Sequence, residues 1–209
     1  FTKMDETASL NEICAGREMA ILADEVFLDF GLAEPRQKSF AANAGTLSFT
    51  MSGISKISGL PQMKLAWLVT SGPEEWKSRA LERLEIIADT YLSLNAPVQL
   101  AAPAFLEMRH GFQKQLLRRV RENLSELDRA LAEQTLCSRL KVEGGWYAVL
   151  RVPSAQNEED LAIRLLEARD VSVHPGHFYD FPAGGYLVIS LIAPQPDFSE
   201  GIQRLLSLF

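Results

Sequence analysis

Cysteine and histidine are scarce in this chain, at two and three among 209 residues. Cys14 and Cys137 cannot build a disulfide framework, so a reduced, cytoplasmic setting is the default expectation. His110, His174 and His177 show no metal-ligand spacing, and no metal is expected. Positive charge is not in excess either: 21 Lys and Arg stand against 27 Asp and Glu, for a net charge of −6. A general nucleic-acid binder carries a basic excess, so nucleic acid is not an expected partner. Glycine (13) and proline (10) are too few for a collagen-like or disordered chain. No apolar run reaches the roughly 18–20 residues that span a bilayer, and no basic segment leads into an apolar one at the N-terminus. No membrane partner is expected. What remains is an ordinary globular composition, 47% hydrophobic and 23% charged, long enough for one large domain or two modest ones.

Periodicity sketches an α/β chain. Residues 5–18 read as a helix, with Leu10, Ile13, Cys14 and Arg17 at helical spacing and acids in the first turn. The short apolar run at 19–23 reads as a buried strand. Helix followed by strand is half of a parallel α/β unit. Residues 46–51 alternate, with Leu47, Phe49 and Met51 on one face, and predict a second strand. A Gly/Ser/Pro-rich loop covers 52–61, a third strand 64–70. A helix follows over 73–92, with Pro73 early and Glu74 and Glu75 in its first turn. Two helical pieces, 98–108 and 111–132, come next. The second carries a stripe of Leu116, Leu117, Val120, Leu124, Leu127 and Leu131. The remainder alternates: strands at 146–152, 171–174 and 186–192, helices at 157–168 and 198–208. The natural boundary falls near residue 111, between a parallel-sheet piece and a smaller α+β piece.

Two stretches carry chemistry. In Gly53-Ile54-Ser55-Lys56-Ile57-Ser58-Gly59 a lysine sits on a small-residue loop directly after a strand, and Lys64 follows eight positions on. A partly desolvated lysine favours the neutral amine that Schiff-base chemistry needs. Small residues let backbone approach an anion, and hydroxyls with Lys64 can bind a phosphate. The same residues also suit a plain solvent-facing loop. In Ala23-Asp24-Glu25-Val26-Phe27, Asp24 stands where a strand ends. Open α/β sheets bind ligands at the carboxyl ends of their strands, and a turn-capping Asp fits the same place.

Taken together, these stretches resemble the fold-type-I pyridoxal-phosphate (PLP) enzymes, specifically the class I/II aminotransferases. Asp24-Glu25-Val26-Phe27 looks like the family's Asp-Glu-Val-Tyr element, and residues 52–66 look like its PLP-lysine signature. Residues 93–99 (SLNAPVQ) resemble the segment after the large-domain helix. Gly144-Gly145-Trp146-Tyr147 and Val173-His174-Pro175-Gly176 resemble two small-domain landmarks. The resemblance implies an α/β fold: the second half of a PLP-transferase-like large domain with a mostly parallel sheet (1–110), then a small α+β C-terminal domain (111–209). It implies that Lys56 is the catalytic Schiff-base lysine and proton shuttle. Asp24 would pair with the pyridine nitrogen, while Ser52, Ser55 and Lys64 would hold the 5′-phosphate. Apart from the resemblance, His177 and Tyr179 suit the active-site mouth and, equally, a structural strand end. The resemblance further implies pyridoxal 5′-phosphate as cofactor, amino acid and 2-oxo acid substrates, a homodimer, and a chain that is the C-terminal portion of such an enzyme.

Three positions depart from the family pattern. Lys64 replaces an Arg, so a bidentate fork becomes a point charge. Phe27 replaces a Tyr whose hydroxyl bonds the cofactor's 3-oxygen. Val188 stands where an Arg receives the substrate carboxylate. Other PLP chemistry, such as carbon–sulfur lysis or decarboxylation, uses the same lysine and Asp and stays open, as does a non-catalytic remnant or effector-binding domain.

Overall fold

A computed structural model of the chain describes residues 1–33, 38–153 and 157–209. The chain forms two compact units, Phe1–Lys114 and Gln115–Phe209.

The first unit opens with helix α1 (Met4–Gly16), whose first turn is closed by the Lys3 amide donating to Glu6, 2.8 Å. Strand β1 (Ile21–Asp24) follows, then β2 (Ser48–Gly53), the single helical turn α2 (Ile54–Ile57), strand β3 (Ala66–Ser71) and helix α3 (Glu74–Asp89). Among the described residues the sheet order is β1-β2-β3. β1 and β2 pair in parallel, Ile21 opposite Ser48 and Asp24 opposite Met51. β3 runs antiparallel to β2, with Gly53 opposite Ala66. A twelve-residue excursion between two strands is short enough for a return beside β2, without a crossover helix.

Two details differ from the sequence expectation. β1 was expected buried, yet Leu22 is 71% exposed and only Ala23 is covered. The alternation in β2 is real, but its buried face carries Ser48 and Thr50, while Phe49 and Met51 are half-buried. Hydrogen bonds explain the choice. The turn Phe40–Ala42 lies by that face, Asn43 Nδ2 donates to Ser48 Oγ at 2.8 Å, and Ser71 Oγ donates to the Phe40 carbonyl at 2.8 Å.

The long helix α4 (Ala96–Ala132) contributes residues to both units. It is one element where the sequence suggested two, 98–108 and 111–132, and it also carries Pro103 inside it. Proline removes one helical hydrogen bond. Packing on both sides of it keeps the helix continuous: Val98, Ala102, Phe105 and Leu106 join Ile54, Leu65 and Trp67 in one apolar cluster.

In the second unit, β4 (Ser138–Arg139), β5 (Tyr147–Arg151), β6 (His174–Pro175) and β7 (Tyr186–Ser190) form an antiparallel sheet of order β4-β5-β7-β6. Helix α5 (Glu158–Arg169) is capped by Asn157, whose side chain accepts from the Glu159 amide. Helix α6 (Gln195–Leu206) closes the chain. One sheet face, with Ala148, Leu150, Leu187 and Ile189, is buried, as are Leu161 and Leu165 of α5 and Phe198, Ile202 and Leu205 of α6. Asn123 of α4 donates to the carbonyls of Leu191 and Ala193, 3.0 and 2.9 Å, which fixes the segment after β7. The strand expected at 171–174 pairs only at His174 and Pro175. Pro175 lies on the edge, the place a sheet tolerates proline.

Candidate functional site

The parallel pairing of β1 with β2 puts their carboxyl ends at the same end of the sheet. Asp24 is the last residue of β1 and is exposed. Its Oδ1 accepts from the Val26 amide at 3.2 Å, which orients the carboxylate by a local turn. Oδ2 has no partner among the described residues. Glu25, next in sequence, does different work: it accepts from Ser39 Oγ at 2.6 Å and from the Phe40 amide at 2.7 Å, and so holds the 39–43 turn.

Lys56 leaves the sheet from α2, the turn that directly follows β2. This turn is clamped. Ile54 and Ile57 are buried, and the Ile54 amide donates to the Leu65 carbonyl at 3.1 Å. Ser58 Oγ donates to the Phe105 carbonyl at 2.9 Å, and Gln113 Nε2 to the Ile57 carbonyl at 3.1 Å. Gly59 has φ +67°, and a Cβ there would fall 2.6 Å from the Phe112 ring, so glycine is required for the turn to dock on α4. A lysine on so short a turn gains its precision from this support. Its Nζ lies 5.8 Å from the centroid of the Phe27 ring, within reach of a cation–π attraction.

Ser52 in β2 and Ser55 in α2 are half-buried. Lys64 is exposed and sits in the left-handed region at φ 56°, ending the turn Pro61–Met63 just before β3. Because β3 runs back along β2, its start and Lys64 lie by the end of β2. Asp24, Phe27, Ser52, Ser55, Lys56 and Lys64 thus belong to one end of one sheet. A cavity of about 470 Å³ is lined by Leu22, Asp24, Glu25, Phe27 and Phe40 among others; Lys56 and Lys64 are not part of its wall.

The other expected site residues belong to the second unit. His177 and Tyr179 lie on the turn Gly176–Tyr179 and are exposed. Tyr179 Oη is 2.7 Å from His174 Nδ1. Sequence reasoning missed Glu158. This carboxylate is buried and accepts from the His177 amide at 3.0 Å and the Tyr186 amide at 2.7 Å. It therefore fixes both ends of the segment that carries His177 and Tyr179. Its position in the first turn of an Asn-capped helix was visible in sequence, but its inward orientation was not. Val188 is buried in the middle of β7, opposite Val149 and His174.

The comparisons with known proteins agree with this architecture. The sequence profile "Aminotransferase class I and II" matches residues 3–196, and the chain belongs to that family. The alanine aminotransferase of Mycobacterium bovis is 25% identical over 201 residues, 93% of this chain and 47% of that protein. The alanine aminotransferase of Mycobacterium tuberculosis matches to the same extent. Among solved structures, the alanine aminotransferase from Pyrococcus furiosus has a TM-score of 0.86 at 20% identity, covering 99% of this chain and 53% of that one. An aminotransferase from Escherichia coli has 0.83 at 19% identity, with the same two coverages. The chain spans about half the length of the curated relatives it matches, 47%. The fold is that of the PLP-dependent aminotransferases, and the family implies pyridoxal 5′-phosphate as its cofactor.

The residues present fit such a group. A carboxylate oxygen without a partner, an ammonium beside an aromatic ring, two serine hydroxyls and a second ammonium form the donor set at the sheet end. These match in kind a protonated ring nitrogen, an aldehyde and a phosphate.

No helix among the described residues is long and apolar enough to cross a membrane.

Proposed function

We propose that the polypeptide is a PLP-dependent aminotransferase, moving an amino group between an amino acid and a 2-oxo acid, with Lys56 as its catalytic residue. The observation that carries this reading is the placement of Asp24 and Lys56 at the carboxyl ends of the parallel strands β1 and β2, with Phe27 beside the lysine, in a member of the aminotransferase family. When bound, the cofactor supplies an electron sink for negative charge at the substrate α-carbon. Lys56 would then have two tasks: its amine would hold the cofactor at its aldehyde carbon and, when free, would carry a proton at the substrate α-carbon. Asp24 keeps a proton on the ring nitrogen through a charge-assisted hydrogen bond. Phe27 packs by its ring alone, since it has no hydroxyl to donate. Ser52 and Ser55 donate to the phosphate, and Lys64 meets it as a point charge.

His177 and Tyr179 contact substrate in this reading, on a segment that Glu158 holds in shape. Residues 1–110 correspond to the second half of a PLP-binding large domain, and 111–209 to a small domain. A cytoplasmic homodimer is the expected form.

The test is single-turnover absorbance spectroscopy on the full-length holoenzyme with a panel of amino acids. At least one amino acid converts the cofactor to its amine form in the wild type. In Lys56→Ala the conversion slows by about 10²–10⁴-fold, the usual worth of positioned proton transfer. A wild type inert to every amino acid would sink the proposal.

A further inference from the structure

The turn that carries Lys56, Ile54–Ile57, is too short to hold itself. A single helical turn fixes several residues for very few bonds of its own. The Ile54 carbonyl accepts from the Ser58 and Leu60 amides at 3.2 and 3.1 Å, and the Lys56 carbonyl accepts from the Gly59 amide at 3.3 Å. The Ile57 carbonyl is placed differently. Four residues on, where its helical donor would stand, the chain has Pro61, which carries no N–H. The donor comes instead from α4, 56 residues along the chain: Gln113 Nε2, at 3.1 Å.

Gln113 is half-buried and belongs to the same compact unit as Lys56. A second anchor lies farther back on α4, where the Phe105 carbonyl accepts from Ser58 Oγ at 2.9 Å. Between the two anchors, Gly59 lies against the Phe112 ring. Phe105 and Phe112 are two helical turns apart and share one face of α4. At 1.5 Å per residue, the anchors at 105 and 113 stand about 12 Å apart along the helix axis. One bond would leave the turn free to pivot. Two bonds at that separation, with a ring packed between them, fix both its place and its rotation.

We propose that Gln113 is a positioning residue for Lys56: by supplying the donor that Pro61 lacks, it fixes the direction in which the lysine leaves the end of the sheet. Ser58 is its companion anchor. The assignment rests on the aminotransferase reading, in which Lys56 carries a proton at the substrate α-carbon. Proton transfer depends steeply on distance and alignment. Gln113 acts through the Ile57 carbonyl, so its loss falls on the rate of the chemical step and spares substrate binding.

The experiment uses the full-length protein. Gln113→Met keeps the length of the side chain and removes the donor. Gln113→Glu keeps the shape and, when ionised, offers only acceptors. Gln113→Arg restores an N–H donor, and Ser58→Ala removes the second anchor. Single-turnover rate and half-saturation are measured on the holoenzyme with the amino acid that reacts fastest in the panel. Amide hydrogen exchange is measured on the cofactor-free form. Gln113→Met and Gln113→Glu are expected to slow the single turnover about 10- to 100-fold, with half-saturation within about twofold. Gln113→Arg recovers part of the loss, and Ser58→Ala gives a smaller loss of the same kind. The Ser58, Gly59 and Leu60 amides exchange about tenfold faster in the slowed variants. The exposed Gln115, changed to Glu as a control for added charge, alters neither rate nor exchange. Thermal melting of each variant checks the fold, and if Gln113→Met does not fold, Ser58→Ala and Gln113→Arg carry the comparison. Unchanged rate in Gln113→Met and Ser58→Ala, with an active wild type, overturns the assignment and leaves the aminotransferase reading standing. So does a raised half-saturation at unchanged rate, or an equal loss in Gln113→Arg and Gln113→Met. Lost cofactor retention, with an unchanged rate in the loaded enzyme, gives Gln113 to cofactor binding and also overturns it. A wild type that reacts with no amino acid overturns both.

Discussion

The sheet of the second unit buries one whole face, with Leu150 and Leu187 at 0% exposure, whereas the sheet of the first unit leaves apolar side chains in water, Leu22 at 71% among them. The helices differ in the same way. Helices α5 and α6 bury Leu161, Leu165, Phe198, Ile202 and Leu205, while α3 buries nothing and exposes Trp76, Leu81, Ile86 and Ile87. Fully burying a leucine is worth about 1.5–3 kcal/mol, so the second unit gains far more from its sheet. In the first unit, order is concentrated around Lys56, where Ile54, Leu65 and Val98 and the bonds from Ser58 and Gln113 meet. The contrast teaches that the candidate catalytic turn is rigid by local clamping, and not because its sheet is well covered.

This comparison can be broken by stability measurements on the full-length polypeptide. Leu150→Ala or Leu187→Ala should cost about 2–5 kcal/mol, because each leaves a cavity in a dry core. Leu22→Ala should cost about 0.5 kcal/mol or less, because its side chain already lies in water. Denaturant unfolding reads both. A large Leu22 effect would contradict the contrast, since it would mean that this face of the first sheet is covered.

Two acids provide the next test, since each unit has one that shapes a loop. Glu158→Ala leaves the amides of His177 and Tyr186 without their acceptor, at about 1–3 kcal/mol each where buried. Thermal melting should fall, and the segment 176–186 should exchange its amide hydrogens faster. Glu25→Ala should loosen the 39–43 turn yet leave cofactor retention largely intact, whereas Asp24→Ala should weaken retention and remove most turnover. Dialysis followed by absorbance distinguishes the pair. Equal retention in Asp24→Ala and wild type would refute the role of Asp24.

The smallest effect concerns Cys137 in the second unit. Burial pushes its thiol above the ordinary cysteine value. The folded protein therefore keeps that proton where the unfolded chain has lost it, and stability falls as pH rises through the ordinary thiol range. Alkylation by iodoacetamide at pH 8 should be slower at Cys137 than in the denatured chain. Equal rates would mean that the second unit opens more readily than its packing implies.

The placement of the candidate residues was legible in the sequence because the patterns that carry it are local. A Gly-bounded turn with one lysine, and an Asp at the end of a short apolar run, are patterns a few residues long. The structure keeps both at strand ends. What sequence could not supply was direction and side. The antiparallel course of β3 is set by the compact 54–65 excursion, which reads like any Gly/Ser/Pro loop. The covered face of β2 is its polar one, because Asn43 reaches Ser48, a choice that alternation alone cannot make. The break read between 108 and 111 is absent, and α4 runs on through Gly111 as one helix.

Borohydride reduction of the full-length holoenzyme, followed by peptide mapping, tests the central claim most directly. The clamped turn after β2 should carry the phosphopyridoxyl group on Lys56. A group found on Lys64 or on any other lysine, with Lys56 unmodified, would contradict the account.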